Sequence, residues 1–230
     1  MYDRCVQPHV PDRYRDLTIN AFAQRLASAQ PVPGGGSASA LAAALGASLV
    51  EMVASLSAGK PRYAEHESLY AWVRATAADL RDHFLALADD DAAAFATFAA
   101  AMKMPRDTEQ EAAERSLAMR TAARRAAEVP LACVEACLAL VQAAESLAGR
   151  SNVNASSDLN VASLLGEAAA RGAAANVLIN VPSLGDPDLE TSMVERVQSL
   201  IDEIERIATE TRETVGSGEK REPVAQPQHA

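Results

Sequence analysis

The stretch PVPGGGSASALAAALGASLVEMVASLSAGK, residues 31–60, begins with three consecutive glycines and continues as a run of small and aliphatic residues. The apolar run from Ser37 to Val50 is shorter than the ~20 residues that a membrane-spanning helix needs, and Glu51 interrupts it. The many alanines predict instead a slim helix, from about Ser37 to Ser57, that neighbouring helices can approach closely. Such a helix belongs at the centre of a bundle or at a subunit interface.

The glycines exclude two phosphate-binding motifs. The segment PGGGS lacks the GK[ST] ending of a P-loop, no strand precedes it, and the G-x-G-x-x-G spacing of a dinucleotide-binding fold is absent. Glycines still allow a ligand to approach the backbone, and the amides of a helix start, with Ser37 as a possible cap, favour an anion or a carbonyl oxygen. The alternative, a plain tight turn, stays open on this pattern alone.

The composition predicts helices and an acidic, soluble protein. Hydrophobic residues make up 49% of the 230 residues but aromatic residues only 4%, so β-branched and aromatic strand formers are scarce. A net charge of −10 and a pI of about 4.9 argue against nucleic acid or an anionic membrane as partner. Charges and prolines in the first residues differ from a signal peptide, and we expect a cytoplasmic location.

Two of the three cysteines, Cys133 and Cys137, lie one helical turn apart and could in principle share a metal ion. No histidine or further cysteine lies near them in the sequence. Free cysteines in an alanine-rich helix are more often buried apolar side chains, so we expect no metal site.

The hydrophobic periodicity predicts a single-domain, all-α, up-and-down helical bundle without a sheet. Residues 1–16 form an arm, residues 17–214 the helical domain, and residues 215–230 a disordered tail. About seven helices are expected, at approximately 17–28, 37–57, 64–102, 108–128, 130–147, 157–180 and 188–214. Pro130 is expected to begin a new helix, and the Ser and Asp residues after 150 to cap the helix that follows them.

One carboxylate lies on the apolar face of the long third helix. Asp91 follows Phe84 and precedes Phe98 at seven-residue steps, whereas Asp89 and Asp90 point elsewhere. A carboxylate on such a face must be paired, hydrogen-bonded or neutral. Asp91 is therefore a candidate for a perturbed pKa and for acid/base chemistry, with a structural ion pair as the alternative.

The loop SNVNASSD, residues 151–158, is dense in hydrogen-bonding side chains. Asn152, Asn154, Ser157 and Asp158 could cap a helix or read the edge of a heteroaromatic ring. Asp158 and Asn176 share a helix face but are ~27 Å apart at 1.5 Å per residue, so one small ligand cannot touch both within one subunit. Asn176 and Asn180 are then either structural or part of a site completed across a dimer.

Taken together, these segments resemble the cyclodeaminase domain of formiminotransferase-cyclodeaminase and the related stand-alone bacterial methenyltetrahydrofolate cyclohydrolases. The first shared features are P-x-PGGGS before an Ala/Gly-rich helix and then Gly59, Lys60 and Tyr63. An Asp four residues before an aromatic follows, here Asp91 and Phe95. The last are VPL at 129–131, the N-x-N-x-x-SD loop and NVLIN at 176–180. The order is preserved over about residues 17–214. Ser151 stands where the family has glycine, and Pro61 where it has a basic residue.

The resemblance implies an all-helical homodimer that acts on a tetrahydrofolate derivative without a tightly bound cofactor. It implies Asp91 or Asp158 as the acid/base. Lys60, with Arg62, would meet the glutamyl carboxylates of the substrate. The implied substrate-binding residues are Gly34, Gly35, Gly36, Ser37, Lys60, Tyr63, Asn152, Asn154 and Ser157.

Two reactions fit this resemblance, because both involve the carbon that bridges the two nitrogens of reduced folate. A 5,10-methenyltetrahydrofolate cyclohydrolase opens the bridge with water, and a 5-formimidoyltetrahydrofolate cyclodeaminase closes it and expels ammonia. Each needs a proton shuttle and stabilisation of developing charge. The departures at Ser151 and Pro61 raise a folate-dependent one-carbon transferase as an alternative, and a non-catalytic helical binding protein is a further one.

Overall fold

The computed structural model describes residues 13–224, and within them the chain is all helical, without a strand. Six α-helices form the domain: α1 (Ile19–Leu26), α2 (Gly35–Ser57), α3 (Glu67–Met102), α4 (Glu109–Leu147), α5 (Ser156–Asn180) and α6 (Pro187–Ser217). Short 3₁₀ turns lie at Tyr14–Asp16, Pro61–His66, Val153–Ala155 and Val181–Ser183. The predicted all-α bundle is confirmed, with six helices in place of about seven.

Helices α2, α3, α4 and α5 pack as a four-membered bundle, and α6 covers α4 and α5 from outside. Short connections between successive helices make the arrangement up-and-down, as in other helix bundles. The largest fully buried side chains include Tyr70, Phe84, Leu140, Leu147, Leu159 and Ile204. Alanine fills most of the remaining core positions, which lets the helix axes approach closely.

Two helices, α2 and α4, are long and apolar enough to span a membrane by length and composition. Both are central helices of the bundle, with 44% and 56% of their most apolar windows buried inside the protein. The apolar character of α2 is thus used for packing: Ala43, Ala47 and Val50 are fully buried.

The helix starts agree with the sequence in some places and differ in others. Thr18 caps α1, and Thr108 forms a capping box with Glu111 at the start of α4. Ser37, a possible cap of α2, instead lies inside the helix, because α2 begins at Gly35 with Gly34 as its N-cap. The expected capping of α5 by Ser157 or Asp158 is wrong, since the helix begins at Ser156 after Ala155, without a side-chain cap.

The prediction that Pro130 begins a new helix is wrong. Helix α4 runs through Pro130 without interruption. A proline has no N–H for the carbonyl four residues earlier, here that of Ala126. The side-chain amide of Asn180 on α5 donates to this carbonyl at 2.9 Å and also to the carbonyl of Asn176 at 2.8 Å. A neighbouring helix therefore supplies the missing donor, which makes Asn180 a structural residue.

The described parts of the predicted arm and of the predicted tail both contain helical structure. Tyr14–Asp16 of the arm form a 3₁₀ turn against α3. Helix α6 continues to Ser217, three residues into the segment expected to be a disordered tail, and Gly218 ends it in a left-handed conformation with φ of 67°. The rest of the predicted arm and tail, residues 1–12 and 225–230, lies outside the described residues.

The hydrogen bond from the Asn180 side chain to the Ala126 carbonyl, which stands in for the missing N–H of Pro130, can be tested with a double-mutant cycle. We expect Asn180→Ala to lower the free energy of unfolding by about 1–2 kcal/mol, because the Ala126 carbonyl loses its donor. In a Pro130→Ala background the alanine backbone N–H can bond to the Ala126 carbonyl, so the same change should cost clearly less. Urea unfolding of the four proteins measures the coupling; equal costs in both backgrounds would contradict the assignment.

Candidate active site

The carboxyl group of Asp91 on α3 lies against the first turn of α2. The Oγ of Ser37 is 2.9 Å from Oδ2 of Asp91 and 3.0 Å from the backbone carbonyl oxygen of Ala88. Ser37 is fully buried. Burial raises the pKa of Asp91, while hydrogen bonds from the side chain and backbone of Ser37 act in the opposite direction. The predicted position of Asp91 on the apolar face, with a perturbed pKa, agrees with this geometry.

The hydroxyl of Ser37 suits both protonation states of Asp91. A serine carries one hydroxyl hydrogen, so it cannot donate to Ala88 and Asp91 at once. When Asp91 is ionised, Ser37 donates to the carboxylate; when Asp91 is protonated, its O–H donates to Ser37, which then donates to Ala88. A proton can therefore enter and leave Asp91 without leaving a buried polar group unpaired.

Glycine is required where α2 meets this carboxyl group. A Cβ atom on Gly36 would lie 2.1 Å from Oδ1 and 2.5 Å from Cγ of Asp91, far inside contact distance. Gly36 therefore allows the close approach of the helix and the carboxyl group, whereas a Cβ on Gly34 would make only an ordinary contact, 3.9 Å from the carbonyl oxygen of Pro31. At the neighbouring position, a Cβ on Gly35 would lie 3.4 Å from Nδ2 of Asn176, which places α5 beside the same helix end.

The other two aspartates of the DDD run have separate partners. Asp89 accepts the backbone N–H of Tyr14 at 2.6 Å and lies 3.8 Å from Arg15. Asp90 forms a 3.0 Å ion pair with Arg125 on α4. Of the three, Asp91 alone faces the start of α2.

Tyr14 is a residue of this region that the sequence did not reveal. Burial raises the pKa of Tyr14, and the negative charge of Asp91 raises it further. The phenol therefore lies within electrostatic range of the Asp91 carboxyl group. The arm has no hydrophobic periodicity; the contact of its 3₁₀ turn with α3 and the edge-on packing of the Tyr14 ring against Phe22 of α1 bring Tyr14 to this place.

The second group of predicted residues lies at the other end of α2. The backbone N–H of Asn152 donates to Oγ of Ser57 at 2.8 Å, and its side-chain amide donates to the carbonyl of Leu56 at 3.3 Å. The backbone N–H of Val153 donates to the hydroxyl of Tyr63 at 3.2 Å. These bonds attach the loop before α5 to the end of α2 and to the turn that follows it.

The remaining predicted residues of this second group are more accessible. Lys60, Asn154 and Ser157 are exposed, and Asp158 is half-buried in the first turn of α5. A negative charge in the first turn is favoured by the helix dipole. Ser151 and Asn152 line a cavity of about 260 Å³ together with Arg62 and Tyr63.

The two groups of predicted residues do not meet within one chain. Ser37 contacts Asp91 at the start of α2, and Ser57 contacts Asn152 at its end. Twenty helical residues separate the two serines, or about 30 Å at 1.5 Å per residue. Gly34–Ser37, Asp91 and Asn176 form one cluster. Lys60, Tyr63 and residues 152–158, which are the turn before α5 and the first three residues of that helix, form the other.

Within residues 13–224, no group of three or more His, Cys, Asp or Glu side chains could hold a metal ion. Cys133 and Cys137 are both buried on α4. The hydrogen bond that the Cys137 thiol donates to Cys133, together with burial, raises the pKa of Cys137 well above its usual value. The pair is part of the core, as the apolar interpretation predicted.

The fold and the Asp91 cluster define an all-helical protein with a half-buried carboxyl group at a glycine-rich helix start. A model of the family described as formiminotransferase-cyclodeaminase matches residues 18–199. The chain belongs to this family.

The chain is similar both to a methenyltetrahydrofolate cyclohydrolase and to formimidoyltransferase-cyclodeaminases. The methenyltetrahydrofolate cyclohydrolase of Methylorubrum extorquens is 36% identical over 200 residues, which cover 87% of this chain and 96% of that protein. The formimidoyltransferase-cyclodeaminase of Rattus norvegicus is 33% identical over 95% of this chain, but the match covers only 41% of the rat protein.

A solved structure has the same fold. The crystal structure of formiminotetrahydrofolate cyclodeaminase from Thermotoga maritima superposes with a TM-score of 0.80 at 26% identity, covering 88% of this chain and 98% of the other.

The role of Ser37 in setting the pKa of Asp91 can be measured directly. Because the hydrogen bond from the Ser37 side chain lowers the pKa of Asp91, Ser37→Ala should raise that pKa further. A ¹³C-detected NMR titration of the Asp91 carboxyl carbon follows it. Ser48→Ala is the matched control, since the Ser48 hydroxyl bonds only to Ala44 within the same helix. A lower or unchanged pKa in Ser37→Ala would contradict the assignment.

Proposed function

We propose that this protein is a 5,10-methenyltetrahydrofolate cyclohydrolase, which opens the one-carbon bridge of its folate substrate with water. The observation that carries the proposal is the carboxyl group of Asp91, held against the glycine-rich start of α2 with a raised pKa and a hydroxyl partner suited to both protonation states. The cyclohydrolase of M. extorquens, aligned over nearly its whole length, supports the choice of reaction.

The chemistry needs a group that accepts a proton and later returns it. In the proposed reaction Asp91 takes a proton from water as the water oxygen bonds to the bridging carbon. Asp91 then gives a proton to N5 as the bond between N5 and that carbon breaks. The hydroxyl proton of the intermediate leaves to solvent, and the product is 10-formyltetrahydrofolate. A raised carboxyl pKa brings the group closer to neutral pH, where one residue can act both as base and as acid.

Cyclodeaminase activity on 5-formimidoyltetrahydrofolate is the second candidate. The named activity of the T. maritima structure supports it, since that chain is covered almost completely. In this reaction N10 attacks the same carbon and ammonia leaves, so Asp91 would protonate the departing nitrogen. Release of ammonia from 5-formimidoyltetrahydrofolate distinguishes the two activities.

The separation of the two clusters supports a homodimer as the functional unit. Asp91, with Gly34–Ser37, would hold the reacting end of the folate. Lys60 and Arg62, with Tyr63 and the Asn152 loop (residues 148–155, between α4 and α5), would hold the distant glutamyl end. We place the two halves of each site on different subunits, because the halves are about 30 Å apart along α2 in one chain.

An exposed apolar stripe between the two clusters supports this arrangement. On α2, Leu45 is 60% exposed and Leu56 43%; on the adjacent α5, Leu164 is 51% exposed. Large exposed apolar side chains on neighbouring helices mark an interaction surface. In a two-fold dimer with antiparallel α2 helices, the start of one α2 lies beside the end of its partner. Each of the two sites would then combine Asp91 of one subunit with Lys60 of the other.

The role of Asp91 is tested by Asp91→Asn. We expect the hydrolysis of 5,10-methenyltetrahydrofolate, followed by its near-ultraviolet absorbance, to fall by about 10²–10⁴-fold, because the proton shuttle is lost while the shape is kept. Folding and folate binding should stay intact, as measured by circular dichroism and calorimetry.

Two further variants sharpen this test. Asp90→Asn is the matched control, since Asp90 belongs to an exposed ion pair with Arg125 and should keep the activity within about twofold. Asp158→Asn tests the other predicted acid/base. A large loss in Asp158→Asn with little loss in Asp91→Asn would transfer the role to Asp158. No turnover of either folate by the unaltered protein would overturn the proposed function.

Sharing of each site between two subunits predicts complementation. Asp91→Asn and the double variant Lys60→Ala/Asn154→Ala are each expected to be poorly active at substrate concentrations well below KM. After subunit exchange of a 1:1 mixture, half of the dimers carry one intact site of two, so about a quarter of the normal activity should return.

A second mixture controls for this result. Asp91→Asn mixed with Gly36→Ala combines two changes in the same cluster and should restore nothing. Native mass spectrometry verifies the dimer and the exchange. A monomeric protein, or exchanged heterodimers without recovered activity, would contradict the shared site.

A further inference from the structure

A short segment after α6 crosses the loop that carries Asn152. We call residues 219–222 the C-terminal strap. It lies beyond residues 18–199, the part matched by the family model. The backbone N–H of Arg221 donates to the carbonyl of Gly149 at 3.1 Å, and Nε of Arg150 donates to the carbonyl of Glu222 at 2.6 Å. Each of the two segments, strap and loop, therefore donates one hydrogen bond to the other.

The loop has a glycine where the strap crosses it. Gly149 has a φ of 74°, in the left-handed region, and a Cβ there would lie 2.5 Å from the carbonyl oxygen of Glu219. A side chain at position 149 would thus both strain the loop and displace the strap. Glycine at position 149 therefore permits the contact between the loop and the strap.

The side chain of Arg221 fixes the strap to two helices. Its guanidinium forms an ion pair with Glu145 near the end of α4 and donates to Oγ1 of Thr214 on α6 at 2.8 Å. The side chains of Arg221 and Glu145 are only 24% and 30% exposed, so water screens this pair less than an open surface pair. Arg221 thereby joins α4, α6 and the loop at one point.

The loop is held from its inner side as well. The hydroxyl of Tyr70 donates to the carbonyl of Arg150, and the Asn152 and Val153 amides donate to Ser57 and Tyr63. Between this inner wall and the strap lies the cavity of about 260 Å³. Tyr63 and Asn152, both proposed substrate-binding residues, line it together with Lys220 and Arg221 of the strap.

We propose that the C-terminal strap forms one wall of the substrate site and that Arg221 is the residue that positions the Asn152 loop for substrate binding. The proposal rests on the proposed folate function. The strap lies at the end of α2 opposite to Asp91. It should therefore influence how tightly the substrate is held more than the rate of the chemical step.

Arg221→Ala tests the proposal in the full-length protein. We expect KM for 5,10-methenyltetrahydrofolate to rise by about five- to tenfold with kcat within about twofold, because binding contacts are lost while Asp91 is untouched. The Asn152 and Val153 amides should exchange their hydrogens faster. Arg221→Lys keeps a charge beside Glu145 and should recover part of both effects. Arg206→Ala removes an exposed ion pair with Glu210 elsewhere on α6 and should change neither quantity.

Failure of the strap proposal can be distinguished from failure of the proposed folate function. The unaltered protein is assayed first, and a lack of turnover there defeats the proposed function and the strap proposal with it. Turnover with an unchanged KM in Arg221→Ala overturns the strap proposal alone. A lower melting temperature without a change in KM or in the two amides would show that Arg221 serves stability only, which also overturns it.

Discussion

The closeness of α2 to its neighbours is the constraint on which the rest of the structure depends. A Cβ on Gly36 would overlap the carboxyl group of Asp91, and a Cβ on Gly46 would lie 3.2 Å from a methyl group of Leu140 and 3.3 Å from the carbonyl oxygen of Ala162. One helix is thus in near contact with α3, α4 and α5. Because these two positions leave little or no room for a side chain, the shape of the bundle and the burial of Asp91 have the same cause.

This packing also explains how a carboxyl group is kept in an apolar face. Removing Asp91 from water costs free energy, and few partners can fit where backbones are this close. The first turn of α2 supplies what fits, a backbone amide and a small hydroxyl, both from Ser37. These donors offset the effect of burial only in part, so the pKa of Asp91 stays raised. A bulkier or charged partner would have made Asp91 a structural ion pair, like that of Asp90 with Arg125.

The sequence predicted what depends on local periodicity. The helices, the apolar face carrying Asp91 and the glycine-rich entry into α2 all follow from spacing along the chain. The continuity of α4 through Pro130 could not be predicted in this way, because the replacement donor, Asn180, lies on another helix, 54 residues from the Ala126 carbonyl that it satisfies. The same limit applies to Tyr14, whose position depends on a contact between a non-periodic arm and α3. The sequence marked the 152–158 loop as polar but did not show to which end of α2 it attaches.

The length of α2 connects the fold with the proposed dimer. The helix runs from Gly35 to Ser57, so Gly46 lies at its midpoint. At this midpoint the inner face is closed by the contacts of Gly46 with α4 and α5, and the outer face carries the exposed Leu45. A two-fold axis near Leu45 would bury this side chain against its own copy and bring each end of α2 to the opposite end of its partner. The same helix would then bury the Asp91 carboxyl at one end, hold the Asn152 loop at the other, and set the distance that a second subunit has to bridge.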